Sequence, residues 1–296
     1  MFRVFVGFCI AINVDCCKVS LHVLMAFLEF LKLKEFSFTA ISNYVSAAKA
    51  MLNFYGISTV VFDHARIKLY LRSLQINRPL IITQNPVISI QMLHAICEVC
   101  DTMFMGQIYK GVYLLCFFSF LRLSNLLPPT LNSFDESRQL ARGDVFFLAE
   151  GAKVLVKWSK TSQTRDKVVF LRLPSLGLSP LCPVLALKNV LSLVPGCNSD
   201  PLFQVKDAHS WLPLTMPKMR RHFSVLLSRL SLSGRGFSMH SFRRSGASLA
   251  FSNNVQLQNI QAHGTWTSDC VWRYLLSDGQ ESLQVANSFR DLLFQY

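Results

Sequence analysis

Apolar side chains return every three or four positions over residues 21–34 and 37–55, the spacing that gathers them on one face of a helix. In the second of these, Ile41, Tyr44, Val45, Ala48, Met51 and Leu52 share that face, and Ser37 stands where a cap is expected. A third helical segment, 63–74, leaves Arg66, Lys68 and Arg72 on its polar side. Residues 1–12 place a short apolar run behind Arg3, as a secretory leader does, but Asn13-Val14-Asp15-Cys16 offers no small-residue cleavage site. A buried helix is expected there, or the remainder of a longer amino-terminal segment.

Pro79 and Pro86 interrupt a stretch with little periodicity, which predicts a linker. Beyond it, 88–101 and 106–121 predict helices, the second so apolar that it must be buried. The runs 144–148, 152–157 and 168–173 predict strands, and the last two flank the polar segment 159–166 as the arms of a hairpin. Helices are expected again over 183–193, 217–230, 241–253, 269–276 and 282–294. The expected fold class is mainly α with a small antiparallel β-sheet. It divides into a helical domain over 1–80 and a larger domain over 81–296.

Composition narrows the function classes. Apolar residues make up 51% of the 296 positions and charged residues 16%, which excludes a mostly disordered chain. Mean hydropathy is +0.33, yet the longest apolar runs, 4–12 and 112–121, fall short of the roughly 20 residues a membrane span needs. Thirty Lys and Arg against 17 Asp and Glu give a net charge of +13, and a folded chain this basic attracts polyanions, nucleic acid foremost. Nine scattered cysteines, an odd number, fit a reducing intracellular compartment. Cys97-x-x-Cys100 has no second pair and reads as buried thiols rather than a zinc or redox site.

No phosphate-cradling glycine loop, no His-Glu-x-x-His and no promising carboxylate pair is present. Basic residues in unexpected places stand out instead. Arg122 follows the apolar run Phe117-Phe118-Ser119-Phe120-Leu121, and His240 and Arg243 share a helix face at i, i+3. His263-Gly264-Thr265-Trp266 is followed by Tyr274. Each cluster alone reads as ordinary structure: a snorkelling arginine, a capping histidine, core aromatics.

Their order changes the weighting. Leu121-Arg122-Leu123-Ser124-Asn125-Leu126, Trp158-Ser159-Lys160-Thr161, His240-Ser241-Phe242-Arg243-Arg244 and Gly264-Thr265-Trp266 with Tyr274 resemble, in sequence, the four boxes of the tyrosine recombinase (phage integrase) family. The resemblance runs from about residue 20 to the end and is nearest the eukaryotic mobile-element branch, Crypton-like or DIRS-like. It implies a SAM-like core-binding domain followed by a DNA breaking-rejoining catalytic domain. It also implies a site-specific recombinase or integrase that needs no metal or small-molecule cofactor. The expected partner is double-stranded DNA, with assembly as a homotetramer on it and nuclear localisation in a eukaryote.

The resemblance assigns Tyr274 as nucleophile, Arg122 and Arg243 as ligands of the scissile phosphate, Lys160 as general acid, and His240 as a group that assists proton transfer or orients the phosphate. Lys157 is the rival to Lys160, disfavoured because it alternates with strand residues. Many family members carry His directly after the glycine, where this chain has Thr265. Trp266 is the candidate for that phosphate contact, with His263 and Thr265 as alternatives. The chemistry suits these residue types. Arginine forks match phosphate oxygens and stay charged, and a tyrosine conserves the bond energy in a covalent link. A lysine on a hairpin tip can protonate the departing oxygen. Phosphate contacts are expected from Lys49, Arg66, Lys68, Arg72, Lys218, Arg220, Arg221 and Arg244. The alternatives are a decayed or domesticated copy that binds DNA without cutting it, and a type IB topoisomerase.

Overall fold

The chain folds into two units, Met1–Thr83 and Gln84–Tyr296. The structure, a computed structural model, describes residues 1–76, 86–158, 168–207, 210–266 and 271.

The first unit is helical throughout. α1 (Phe2–Ala11), α2 (Leu21–Leu33), α3 (Phe38–Phe54) and α4 (Ala65–Ile76) are joined by loops and one 3-10 turn, Val60–Asp63. Ser20 and Ser37 cap α2 and α3 by accepting from the Val23 and Ala40 N–H groups at 3.3 Å. Phe5, Leu24, Phe27, Leu28, Leu31, Ile41, Ala48, Leu52 and Ile67 form its core. α1 therefore buries Phe5, Phe8 and Cys9 as the apolar run 4–12 predicts.

In the second unit α5 (Ile90–Asp101) leads into α6 (Gly106–Phe118), which is buried on every side from Ile108 to Phe117. A helix apolar all round needs neighbours all round, and α5 and the later helices Pro183–Leu193 and Met239–Ser252 supply them. α6 stops at Phe118 although the apolar run continues to Leu121, because Phe120 adopts a left-handed backbone (φ 51°) that no helix can contain. A single helical turn follows, α7 (Leu123–Leu126).

Strands β1 (Val145–Leu148), β2 (Gly151–Val156) and β3 (Val169–Pro174) form one antiparallel sheet in that order. Val154 faces Leu171 and Val156 faces Val169, so β2 and β3 are the two arms of the expected hairpin. Ala152, Val154, Val156, Leu171 and Leu173 point to the core. Then come α8 (Pro183–Leu193), a second hairpin β4 (Gln204–Asp207) and β5 (Ser210–Pro213), α9 (Met216–Arg229), α10 (Met239–Ser252) and α11 (Leu257–His263). The second hairpin, α7 and α11 are additions to the elements expected from periodicity. The helix expected over 282–294 lies outside the described residues, and so does that expected over 269–276 except for Val271.

The mainly α architecture with a small antiparallel sheet is as expected. No described helix is long and apolar enough to cross a membrane.

Candidate active site

Three segments distant in sequence meet at the carboxyl end of α6. The Phe118 carbonyl receives Nε2 of His263 at 2.8 Å, which fixes that nitrogen as protonated, since a carbonyl only accepts. The Phe120 carbonyl, turned by the left-handed backbone of its own residue, accepts from Nη1 of Arg243. Gly246 lies against the Phe117 carbonyl so closely that a Cβ there would sit 2.0 Å from the oxygen, so α10 reaches α6 only with glycine at that position.

Arg243 is 1% exposed. Its second donor nitrogen, Nη2, binds the Gly264 carbonyl at 2.8 Å, and its guanidinium stacks 4.0 Å from the centre of the Trp266 ring. Trp266 is itself buried. The chain reaches this position by curling over the end of α11. Gly264 and Trp266 donate to the Ile260 and Gln261 carbonyls, each at 2.9 Å, while Thr265 takes φ 55°. A Cβ on Gly264 would fall 1.8 Å from the Trp266 ring, so the curl requires glycine. Gly264-Thr265-Trp266 is thus a helix cap that closes over Arg243. Of the three candidates for the last phosphate contact, His263 is anchored to Phe118 with its ring against Phe120, 4.7 Å between centres.

Arg122 stands differently. It is half-buried, just before α7, and its Nη1 is enclosed and meets no hydrogen-bond partner among the described residues. An enclosed donor left open costs about 1–3 kcal/mol, more for a charged group. Its backbone N–H donates to Oδ1 of Asn125 at 3.3 Å, and the other end of the Asn125 amide donates to the Trp158 carbonyl at 2.8 Å. Asn125, 3% exposed, therefore ties the Arg122 turn to the end of the β2 arm. Sequence reasoning passed over this residue. Its place inside the Arg122 box was the available signal.

His240 opens α10 on the same side. Loss of hydration over its ring, then repulsion from Arg243, Arg122 and Arg244, pushes its pKa down to about 4. The residue as a whole remains exposed, with its ring beside three cationic neighbours. Those four residues share one electrostatic field, and His240 is neutral within it at neutral pH.

Lys157 forms an ion pair with the buried Asp144 at 2.8 Å, and the other role of that carboxylate is to accept the Ala141 N–H. Lys157 is thereby committed to holding the base of the hairpin. Lys160 and Tyr274 lie outside the described residues. Among the expected phosphate contacts, Lys49 is paired with Asp63 at 2.6 Å. Arg66, Arg72, Lys218, Arg220 and Arg221 are exposed with no ion-pair partner among the described residues. No Asp or Glu occurs between Asp207 and Asp269, whereas that stretch carries Lys218, Arg220, Arg221, Arg229, Arg235, Arg243 and Arg244.

No protein-family model and no curated protein sequence matches the chain. Solved structures do. The Tn1549 transposon integrase in complex with circular intermediate DNA is similar over 92% of this chain and 86% of its own, at 13% identity and a TM-score of 0.57. A lambda integrase dimer bound to a COC' core site is similar over 91% and 69%, at 15% identity and a TM-score of 0.56. XerH site-specific recombinase bound to difH substrate is similar over 89% and 76%, at 17% identity and a TM-score of 0.51. The chain has the fold of the tyrosine recombinases, the fold that its four sequence boxes imply.

Proposed function

We propose that this chain is a site-specific DNA recombinase or integrase that cuts and rejoins duplex DNA through a 3′-phosphotyrosyl link to Tyr274. The observation that carries this reading is the gathering of Arg243, Arg122 and Arg244 around His240, with His240, Arg243 and Arg244 in a stretch of chain free of carboxylates. The shared fold with integrases and recombinases solved on DNA supports it.

In this reading the Tyr274 oxygen attacks phosphorus and the bond to the 5′-oxygen breaks. Lys160 gives that oxygen its proton. Arg122 and Arg243 neutralise the charge that grows on the non-bridging oxygens, the interaction from which such a site gains most. His240, neutral when free, takes up the tyrosine proton or orients the phosphate. Trp266 completes the phosphate's surroundings beside Arg243. The link conserves the energy of the broken bond, so rejoining needs no nucleotide. The exposed cations of both units, Arg66 and Arg72 in one and Lys218, Arg220 and Arg221 in the other, hold the duplex backbone. Assembly as a tetramer on DNA and work in a eukaryotic nucleus belong to the same reading.

A suicide substrate carrying the true target site, nicked so that religation is impossible, should trap a covalent adduct with the intact protein. Tyr274→Phe should abolish the adduct and keep duplex affinity. Duplex binding without any adduct from the intact protein would overturn the catalytic reading. That outcome would favour a domesticated copy that binds without cutting. One observation leans that way: the donors Nη1 and Nη2 of Arg243 are engaged with main-chain carbonyls.

A further inference from the structure

The proposed chemistry leaves one side-chain cluster in the first unit unused. Among the described residues, one group of metal-ligating side chains converges: Asp15, Cys16 and Cys17, in the loop between α1 and α2, with donor atoms all within 4.8 Å of one another. Consecutive residues of an extended chain point to opposite sides, so this convergence is made by the turn. The Val14 N–H donates to the Cys9 carbonyl at 2.9 Å and bends the chain back beneath α1. The Cys17 N–H donates to Oδ1 of Asp15 at 2.8 Å, and the Lys18 N–H to the Asp15 carbonyl at 3.0 Å. The loop's own hydrogen bonds thus bring two thiols and a carboxylate together at the surface, Asp15 and Cys17 exposed and Cys16 half-buried.

We propose that Asp15, Cys16 and Cys17 form a binding site for a borderline-soft divalent cation, zinc foremost. Ligand chemistry selects the ion: two thiolates disfavour magnesium and calcium, which take oxygen donors, and suit zinc or cadmium. Size agrees as well. Zinc–sulfur bonds of about 2.3 Å put tetrahedral ligands roughly 3.8 Å apart, so donors within 4.8 Å reach that spacing by small rotamer changes. The carboxylate supplies the third donor, and the exposed side leaves the fourth position to water. Binding releases the thiol protons to solvent and fastens the end of α1 to the start of α2 through their connecting loop. The site stands apart from strand transfer, and its failure would leave the recombinase reading untouched.

The test uses the full chain, reduced and freed of metal with a chelator, titrated with cadmium as the probe. One equivalent should raise the ultraviolet charge-transfer band of thiolate-bound cadmium and increase Tm. Cys16→Ser and Cys17→Ser should each abolish the band. Asp15→Asn should weaken binding by at least the roughly 10–100-fold typical of lost supporting groups. Cys197→Ser, at an exposed cysteine outside the group, should leave the band intact. Because the three residues lie on a surface loop, circular dichroism of each metal-free variant should match the parent. No band in the parent protein, or a band that survives either serine variant of the pair, overturns the proposal.

Discussion

Arg122 and Arg243 bring the same side chain to the same end of α6 and meet opposite surroundings. Arg243 is sealed in, with donors on the Phe120 and Gly264 carbonyls and its flat face on Trp266. Arg122 is half-buried and keeps an enclosed nitrogen open. The resemblance of their sequence boxes implies that both are phosphate ligands, but a sequence box says nothing about what a guanidinium touches. The surroundings differ accordingly: Arg243 holds the carboxyl-terminal cap against the α6 turn, and Arg122 keeps a side-chain donor with no partner among the described residues.

The harshest way to break that comparison is to remove the sealed member. Arg243→Ala strips the charged donor from two carbonyls, each worth about 1–3 kcal/mol when orphaned, and leaves a void above Trp266. Stability should fall by roughly 3 kcal/mol or more, read as the shift in a urea unfolding midpoint, and adduct formation should be lost with it. A fall below about 1 kcal/mol would mean that the buried geometry of Arg243 contributes little.

Arg122→Ala should behave the other way round. The substitution removes no described side-chain hydrogen bond, so stability should stay within about 0.5 kcal/mol. Adduct formation on a suicide substrate should fall by about 10²–10³-fold, as for one donor aimed at developing charge. If both variants lose stability alike, the two arginines are not divided as described.

Asn125 sharpens the same contrast from the Arg122 side. Asn125→Asp keeps an acceptor for the Arg122 N–H and deletes the donor to the Trp158 carbonyl. The cost should be about 1–3 kcal/mol for the orphaned carbonyl, smaller than for Arg243→Ala. Adduct yield should drop further than duplex affinity, because the amide ties the Arg122 turn to the hairpin arm that leads to Lys160. Equal losses in both readouts would reduce Asn125 to a packing residue.

Much of this was legible in advance, and the exceptions share a cause. Residues 183–193 read as a helix and form one with those bounds, because Pro183 starts it and its apolar residues repeat over three turns. The β2–β3 hairpin was equally clear from alternation on either side of a polar segment. α7 has four residues, too few for any period, and is defined by the Arg122–Asn125 contact. β4 and β5 have four residues each and are positioned by one another and by the Leu214 N–H on the Phe203 carbonyl. Composition could not foretell the left-handed backbone of Phe120, since a bulky residue adopts it only where tertiary contacts impose it. The residue types of the candidate site were therefore readable, whereas the burial of Arg243 and the role of Asn125 were not, since both depend on carbonyls brought near from distant segments.

The smallest expected effect is also the most local probe of the convergence. His240 has its pKa pushed from the usual 6.5 down to about 4, by lost hydration and then by Arg243, Arg122 and Arg244. A lowered histidine pKa means that the unfolded chain binds the proton more readily. The contribution to stability is therefore whole above about pH 6.5 and is lost as pH falls toward 4. In the proposed reading a scissile phosphate bound among the arginines would add negative charge beside the ring and should move the pKa back up. In an NMR titration of the free protein, the His240 ring should stay neutral through pH 5.5, identified by its absence in His240→Gln. Arg122→Ala should raise its pKa, since one repelling charge is gone, while leaving His222, which burial and Arg229 hold near 4, where it was. A His240 that titrates near 6.5 in the intact protein would mean that the arginines do not converge on it, and the contrast between Arg122 and Arg243 would lose the shared site that makes it meaningful.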